Sequence, residues 1–425
     1  VPESAAVVVI GAGLAGIAAA ARLAKAGHHV TLVEEADRIG GAWKQSDLDG
    51  VGVDTAAPIF SFPAPWRDLF RKSGRDLATE FARSGDDLVP AFPARHVFED
   101  GTELILPDSR GDQDAIIAER FGRPVADRWR DLVDGLGEVW QILRPLGVET
   151  ELTSRKQLNR AVRKALRSRE TLVDLARDLD HPQLSTVITD LAYPTGSRPE
   201  TTPAFVAVQL YLDRTFGRWT AGSGAAMINS LRQRLELRRV RISTSTRVTG
   251  IDTDPLIVTT DHGPLPAAAV IATCDAPQLY RDLLPSDAAR AERRRAGRLV
   301  PALVPAIGLS WASEPSTPED GPTETVRHRR GSAPVIDYTR PTAGRTLQIA
   351  YDFAAGRADP AAGPAWNGFG SWLDRPPTTS VVPGLFIAGS FSRSGTGPSQ
   401  QILSGALAAY AAQRLIAPDR PLEPR

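Results

Sequence analysis

A single cysteine, Cys274, stands in a chain of 425 residues. One thiol excludes an internal disulfide and any cysteine-clustered zinc or iron–sulfur centre. Its neighbours Ile271, Ala272 and Thr273 mark it as filler at the end of a buried strand rather than as a reactive group. Lysine is scarce and none follows Lys164, so arginine carries most of the positive charge. A charge excess of either sign is also missing. Fifty basic residues balance 50 acidic ones, and nothing global draws the chain to nucleic acid or to an anionic membrane. No apolar run is long enough for a membrane span, because the longest is broken by glycines and Arg22. No charged leader with a cleavage site precedes the first strand, so the expected setting is cytoplasmic. The remaining make-up, 42% hydrophobic and 24% charged, is that of a globular protein with one large or two moderate cores.

What is present begins at Val7. The run Val7 to Ile10 leads directly into Gly11, Gly13 and Gly16, then an alanine-rich helical segment, then a second strand from His29 to Val33 that closes on Glu34. Strand, glycine turn, helix and strand form the βαβ unit that binds dinucleotides. Gly11 permits the sharp turn, Gly13 admits a pyrophosphate to the backbone, and Gly16 lets the helix sit close to the sheet. The helix N-terminus then faces the phosphates, and Glu34 is placed to accept hydrogen bonds from an unphosphorylated ribose. Beyond it, Arg38 can reach a phosphate or the ribose edge, and Gly40 and Gly41, followed by Trp43, let the main chain run beside a cofactor.

The middle of the chain has a different character. A helix is expected over Trp66 to Arg83 and a hairpin between Asp87 and Leu106, turning at Glu99, Asp100 and Gly101. His96 on that hairpin has no second histidine or carboxylate at metal-ligand spacing and reads as an ordinary strand position; no metal site is expected. Helices follow over Gln113 to Leu143 and Arg155 to Leu179. The second interleaves Arg160, Arg163, Lys164, Arg167 and Arg169 with Leu158, Val162 and Leu166, a basic amphipathic face suited to solvent or to lipid headgroups. Tyr193, Phe205, Tyr211, Phe216 and Trp219 can wall an apolar pocket or fill a core. A glycine turn at Gly222 leads to a helix ending at Leu237. Short strands up to Thr273 then return the chain to the first sheet, with Arg247 to Thr249 near the end of one of them. The stretch Trp311 to Thr325 reads as a loop.

Near the C-terminus the pattern recurs. Leu385 to Ala388 ends at Gly389, and a glycine-rich turn through Ser390 and Gly397 leads past Pro398 into a helix. Two such crevices suit an extended cofactor: one for adenosine and pyrophosphate, the other for the ribityl chain and pyrimidine edge of an isoalloxazine ring. That distinguishes FAD from NAD.

Together these residues resemble the FAD-dependent superfamily of protoporphyrinogen oxidases, monoamine oxidases and bacterial phytoene desaturases. The likeness rests on Gly11, Gly13, Gly16, Glu34, Arg38, Gly40 and Gly41, on GLFIAG at 384–389 and GTGP at 395–398, and on SGAAMINSLRQRLE with the RVTGI strand at 247–251. The resemblance implies that Val248 lies beside the cofactor. The desaturase branch is the nearer one. Many amine oxidases have an acid where this chain has Ser390, and monoamine oxidases generally set a lysine near flavin N5.

The implied architecture is α/β: a Rossmann-like FAD-binding domain over 1–75, 222–275 and 380–425, with an inserted mixed α+β substrate domain over 76–221 and 276–379. The implied reaction is hydride removal to the flavin from an apolar isoprenoid or polyketide-like metabolite. An amine or amino-acid oxidase and a redox-neutral flavin isomerase are the alternatives. No catalytic residue, oligomeric state or electron acceptor is singled out; peripheral membrane contact stays open.

Overall fold

The computed structural model describes residues 4–84, 88–221, 224–313, 322–420 and 422. The β-branched run at the N-terminus forms strand β1 (Ala6–Ile10), buried on both faces after its first residue. Helix α1 (Leu14–Lys25) follows, then strand β2 (His29–Val33). Both neighbours of β1 are parallel to it: β2, with Val9 opposite Leu32, and the strand Ala269–Ala272, with Val9 opposite Ile271. Arg241–Ser243 extends the sheet beyond β2, and Leu385–Ile387 extends it beyond Ala269–Ala272. Strand order reverses at β1, which opens a crevice at the carboxyl ends of the strands. The alanines of α1 allow close packing. A methyl group on Gly405 of the C-terminal helix Pro398–Ile416 would overlap the Ala15 carbonyl, so the two helices run in backbone contact.

Trp66, Phe70 and Phe81 complete this core beside Met227 and Leu231. The helix Gly224–Leu237 is tied to Leu77–Ser84 by Arg234, fully buried, which pairs with Glu80 and lies 5.3 Å over the Phe70 ring. A second sheet of six strands runs Pro301–Trp311, Arg345–Pro364, Ser332–Thr342, Thr323–Arg329, Ala94–Val97 and Glu103–Leu106. Its last two strands are the expected hairpin, closed by Phe98 N–H to the Thr102 carbonyl (2.9 Å) with Gly101 at φ +79°. Helices pack a second core around Trp129, Trp140, Phe205 and Trp372.

Several expected elements differ. The basic segment Arg155 to Leu179 is not one helix but two short ones, Arg160–Ala165 and Leu172–Arg177, after a single turn at Arg155–Gln157. Asn159 and Thr171 accept from the N–H groups of Val162 and Asp174 as N-caps, and Arg167 takes φ +48° between them. The continuous basic face therefore does not form. Gly122 at φ +90° divides Arg110–Phe121 from Arg123–Leu143, and Gly74 ends Ala64–Ser73 before Leu77. Thr323 to Thr325 begin a strand instead of closing a loop. The turn expected at Gly222 and the loop residues 314–321 lie outside the described residues. No helix among the described residues is long and apolar enough to cross a membrane.

Candidate active site

Gly11 turns the chain at φ +95°, and its N–H donates to the Val33 carbonyl (2.8 Å). A methyl on Gly16 would overlap the Gly11 carbonyl oxygen, so only glycine permits this approach of α1 to the turn. Gly13 is the N-cap of α1 and supplies no side-chain cap, leaving the first helical N–H groups open to an anion. Gly41, at φ +61°, lies against Gly13: a methyl there would stand 3.0 Å from the Gly13 Cα. Gly40 N–H donates to the Ala12 carbonyl (2.8 Å). Glu34 accepts from the N–H groups of Ala12 (2.6 Å) and Ala36 (2.9 Å), which fixes its carboxylate at the rim of the turn with lone pairs to spare. Arg38 is exposed, with no hydrogen-bond or ion-pair partner among the described residues, and Trp43 packs 5.5 Å from Trp66. Val248 opens the strand Val248–Thr253 rather than ending one; two residues before it, Thr246 N–H donates to the Glu34 carbonyl (2.9 Å).

The second turn repeats the first. Gly389 sits at φ +86°, and a methyl on Gly395 would overlap its carbonyl oxygen. Gly397, at φ +98°, leaves the C-terminal helix without a side-chain cap. Ser390 faces Gly363, where a methyl would come within 2.9 Å of its Cβ. Thr273 stands between the two turns. Its hydroxyl donates to the Ile10 carbonyl (2.8 Å), while methyl groups on Gly11 and Gly389 would come within 2.5 and 3.2 Å of its atoms. Beneath the second turn, Arg375 is buried. Its guanidinium donates to Thr396 Oγ1 (2.7 Å), to the Pro364 carbonyl (2.9 Å) and, more weakly, to the Ser390 carbonyl (3.4 Å). Burial next to Thr273 pushes the Cys274 thiol up to about 12, which keeps it protonated and unreactive.

A buried chain of hydrogen bonds leads away from the second turn. Ser399 Oγ, in the first turn of the C-terminal helix, donates to the Ser61 carbonyl (2.8 Å) and accepts from Trp66 Nε1 (3.1 Å). Ser61 ends the strand Ile59–Ser61, where it pairs with Arg218. Arg218 is buried and ion-paired with Glu324, which lies opposite Tyr338 in the six-stranded sheet. Asp213 accepts from Gln209 Nε2 (2.7 Å) and bonds to Ser61. Burial pushes its carboxyl up to about 6 against the pull of Arg218. One residue beyond Ser61 the surroundings turn apolar: Phe62 meets Trp140 edge-on at 5.4 Å and Phe216 at 5.7 Å.

The sequence model of a family described as flavin containing amine oxidoreductase matches residues 14–303. The chain belongs to this family. Its cofactor is FAD, and the two uncapped helix starts with their glycine cradles fit that group. Among curated relatives, phytoene dehydrogenase of Streptomyces griseus is 29% identical over 285 residues, covering 65% of this chain and 55% of the relative. Hydroxyneurosporene desaturase of Rhodobacter capsulatus is 29% identical over 320 residues, covering 70% and 61%. The chain thus spans little more than half of the curated relatives it matches. Cyclohexylamine oxidase from Brevibacterium oxydans shares the fold, with a TM-score of 0.65 at 17% identity over 98% of this chain and 100% of that one.

Sequence reasoning missed Thr273, Arg375 and the Asp213–Arg218–Glu324 group, all made by long-range contacts. His96 is also not the solitary strand residue expected. It is buried, its Nδ1 lies 2.9 Å from His328 Nε2, and His328 Nδ1 lies 2.6 Å from Asp190. The tautomers that satisfy all three have each Nδ1–H donating along the chain to Asp190. Burial, with His328 and Arg218 nearby, pulls His96 well below the usual histidine range and keeps it neutral.

Asp213 permits a pH test. Its folded value, about 6, lies above the ordinary 3.8, so ionised Asp213 opposes folding above about pH 6, and the opposition fades as pH falls toward 4. Asp213→Asn should therefore stabilise the fold at pH 8 by ~2 kcal/mol and by roughly a third of that at pH 4.5, read by urea unfolding. An equal change at both pH values would remove the assignment.

Proposed function

We propose that this chain is an FAD-dependent dehydrogenase or desaturase of an apolar isoprenoid or polyketide-like metabolite. The observation that carries the reading is the aromatic wall of Phe62, Trp140 and Phe216, which starts one residue from Ser61 and so beside the second flavin turn. The relatives named as carotenoid desaturases support it.

Residues 1–75, 222–275 and 380–425 form the FAD-binding part in this reading, and 76–221 with 276–379 the substrate part. Leu77 and Phe81 lean on the first core from just beyond that boundary. The pyrophosphate takes the open N–H groups at Gly13, with Gly11, Gly16, Gly40 and Gly41 shaping the approach and Arg38 adding charge. Glu34 holds the ribose, Val248 and Trp43 flank the adenosine side, and Gly389, Ser390 and Gly397 carry the isoalloxazine end. When bound, FAD supplies the hydride acceptor. The chain's own work is to hold the donor carbon against that acceptor, to exclude water with the aromatic wall, and to let a proton depart. An apolar substrate that leaves an allylic cation needs no strong dedicated base, which agrees with the lack of a triad in the sequence. A cytoplasmic setting agrees with the single, unpaired Cys274.

One observation favours a second reading. Asp213 is a carboxylate linked through Ser61 to Ser399 in the first turn of the C-terminal helix, and it suits the ammonium group of an amine substrate. Anaerobic titration of the flavin-loaded protein separates the two. Bleaching of the oxidised flavin band by polyenes or other isoprenoids is the expected result, and bleaching by amines alone would replace it with an amine oxidase. Binding and product formation without bleaching would point to redox-neutral chemistry.

A further inference from the structure

Away from the aromatic cluster of Phe62, Trp140 and Phe216, a cleft of about 610 Å³ opens beside the second flavin turn, its lining including Arg155, Arg295, Arg298 and Arg393. The four come from three parts of the sequence, at 155, 295–298 and 393, and their charges are met unequally. Arg298 pairs with Asp374. Arg393 spends its donors on carbonyls alone, those of Arg375 (3.0 Å), Leu152 (2.6 Å), Thr153 (3.1 Å) and Leu373 (3.2 Å), which fixes the group without neutralising it. The side chains of Arg155 and Arg295 have no hydrogen-bond or ion-pair partner among the described residues, and the Arg295 Nε is buried with none.

Three acids also line the cleft: Asp374, paired with Arg298, and Glu151 and Glu292. The oxygens of Glu151 and Glu292 are already occupied by the strap at 379–381. Glu151 accepts from Thr379 N–H (2.8 Å) and Oγ1 (3.0 Å), and Glu292 from Ser380 Oγ (2.8 Å) and Val381 N–H (3.1 Å). They offset part of the charge on Arg393, yet burial and the like charge of Arg295 still pull that guanidinium down to about 10. Two guanidinium groups side by side, Arg295 and Arg393, with no carboxylate bonded to either, repel each other and are stabilised by an oxyanion placed between them.

We infer that this cleft binds a phosphate group, carried by a small ester for which the volume leaves room. The open guanidinium groups of Arg155 and Arg295, reaching the cleft from separate segments beside the fixed charge of Arg393, match the oxygens of a tetrahedral anion better than a carboxylate in a single plane. The site is distinct from the pyrophosphate crevice at Gly13 and does not depend on the substrate assigned above.

The test is calorimetric titration of the FAD-saturated protein with inorganic pyrophosphate, and with acetate as the control anion. Saturation of the flavin removes the dinucleotide crevice from the measurement. Saturable binding near one equivalent is expected, with acetate silent. Arg295→Gln should weaken it by about tenfold while flavin absorbance and unfolding midpoint stay unchanged, and Arg155→Gln, on an exposed side chain, should weaken it by about threefold. No saturation up to about 10 mM pyrophosphate, or equal affinity in both variants and the parent, would overturn the inference. Binding that FAD displaces would do the same, by placing the anion at Gly13.

Discussion

Gly16→Ala will give a protein that neither folds stably nor retains flavin, whereas Gly13→Ala will fold and stay colourless. The contrast follows from what each added methyl meets. At Gly16 it would overlap the Gly11 carbonyl, a backbone atom at the end of β1 that cannot move without shifting α1 off the sheet. Overpacking at a rigid backbone contact costs ~3 kcal/mol or more. At Gly13 the only neighbour within reach is the Gly41 Cα at 4.0 Å, and φ is −73°, which alanine adopts freely. The fold loses at most ~1 kcal/mol there. The methyl nevertheless projects into the proposed approach of the pyrophosphate to the open N–H groups, and on that reading FAD affinity should fall about 100-fold, or ~3 kcal/mol. Urea unfolding gives the first quantity and flavin absorbance after dialysis the second. A Gly13→Ala protein that keeps its flavin would move the phosphates away from α1.

What was legible in the sequence was what a few consecutive residues decide. Gly11, Gly13 and Gly16 after a β-branched run, and Gly389 to Gly397 before Pro398, impose their turns through backbone sterics. The Asp100–Gly101 turn and the parallel strands around β1 follow from equally local patterns. The basic segment failed for a reason that was also local: Asn159 and Thr171 are N-cap residues, and the periodicity of leucines and arginines across them outweighed the caps. Other features leave no trace in sequence spacing. Arg218 meets Glu324, His96 meets His328 and Asp190, and Arg234 meets Glu80 across separations that only the folded sheets determine. His96 is the clearest case. Its spacing excluded a metal site but carried no information about two partners supplied from other strands and helices.

Arg375→Met is expected to separate flavin retention from stability. Two opposing effects are of similar size. Arg375 is 1% exposed and has no ion-pair partner among the described residues, and burial pulls its guanidinium down to about 9. Keeping it charged at pH 7 therefore costs the fold roughly several kcal/mol, which a neutral side chain of similar length would relieve. Against that stand its bonds to Thr396 Oγ1, Pro364 and Ser390 and its stacking 4.4 Å over Trp366. Charged hydrogen bonds contribute ~1.5–3 kcal/mol each, so the two sides nearly cancel and the unfolding free energy should move by no more than ~2 kcal/mol. The turn does not share in that cancellation. Residues 390–396 lose the side chain that ties Ser390 and Thr396 to the end of the long strand at Pro364, and although Arg393 and Trp372 still anchor the middle of the turn, both ends of the backbone proposed to carry the isoalloxazine loosen. FAD affinity should drop about 100-fold. Arg375→Lys retains the charge but not the fork, and should recover little of the loss. A methionine variant that binds FAD as tightly as the parent would show that the turn is held without Arg375.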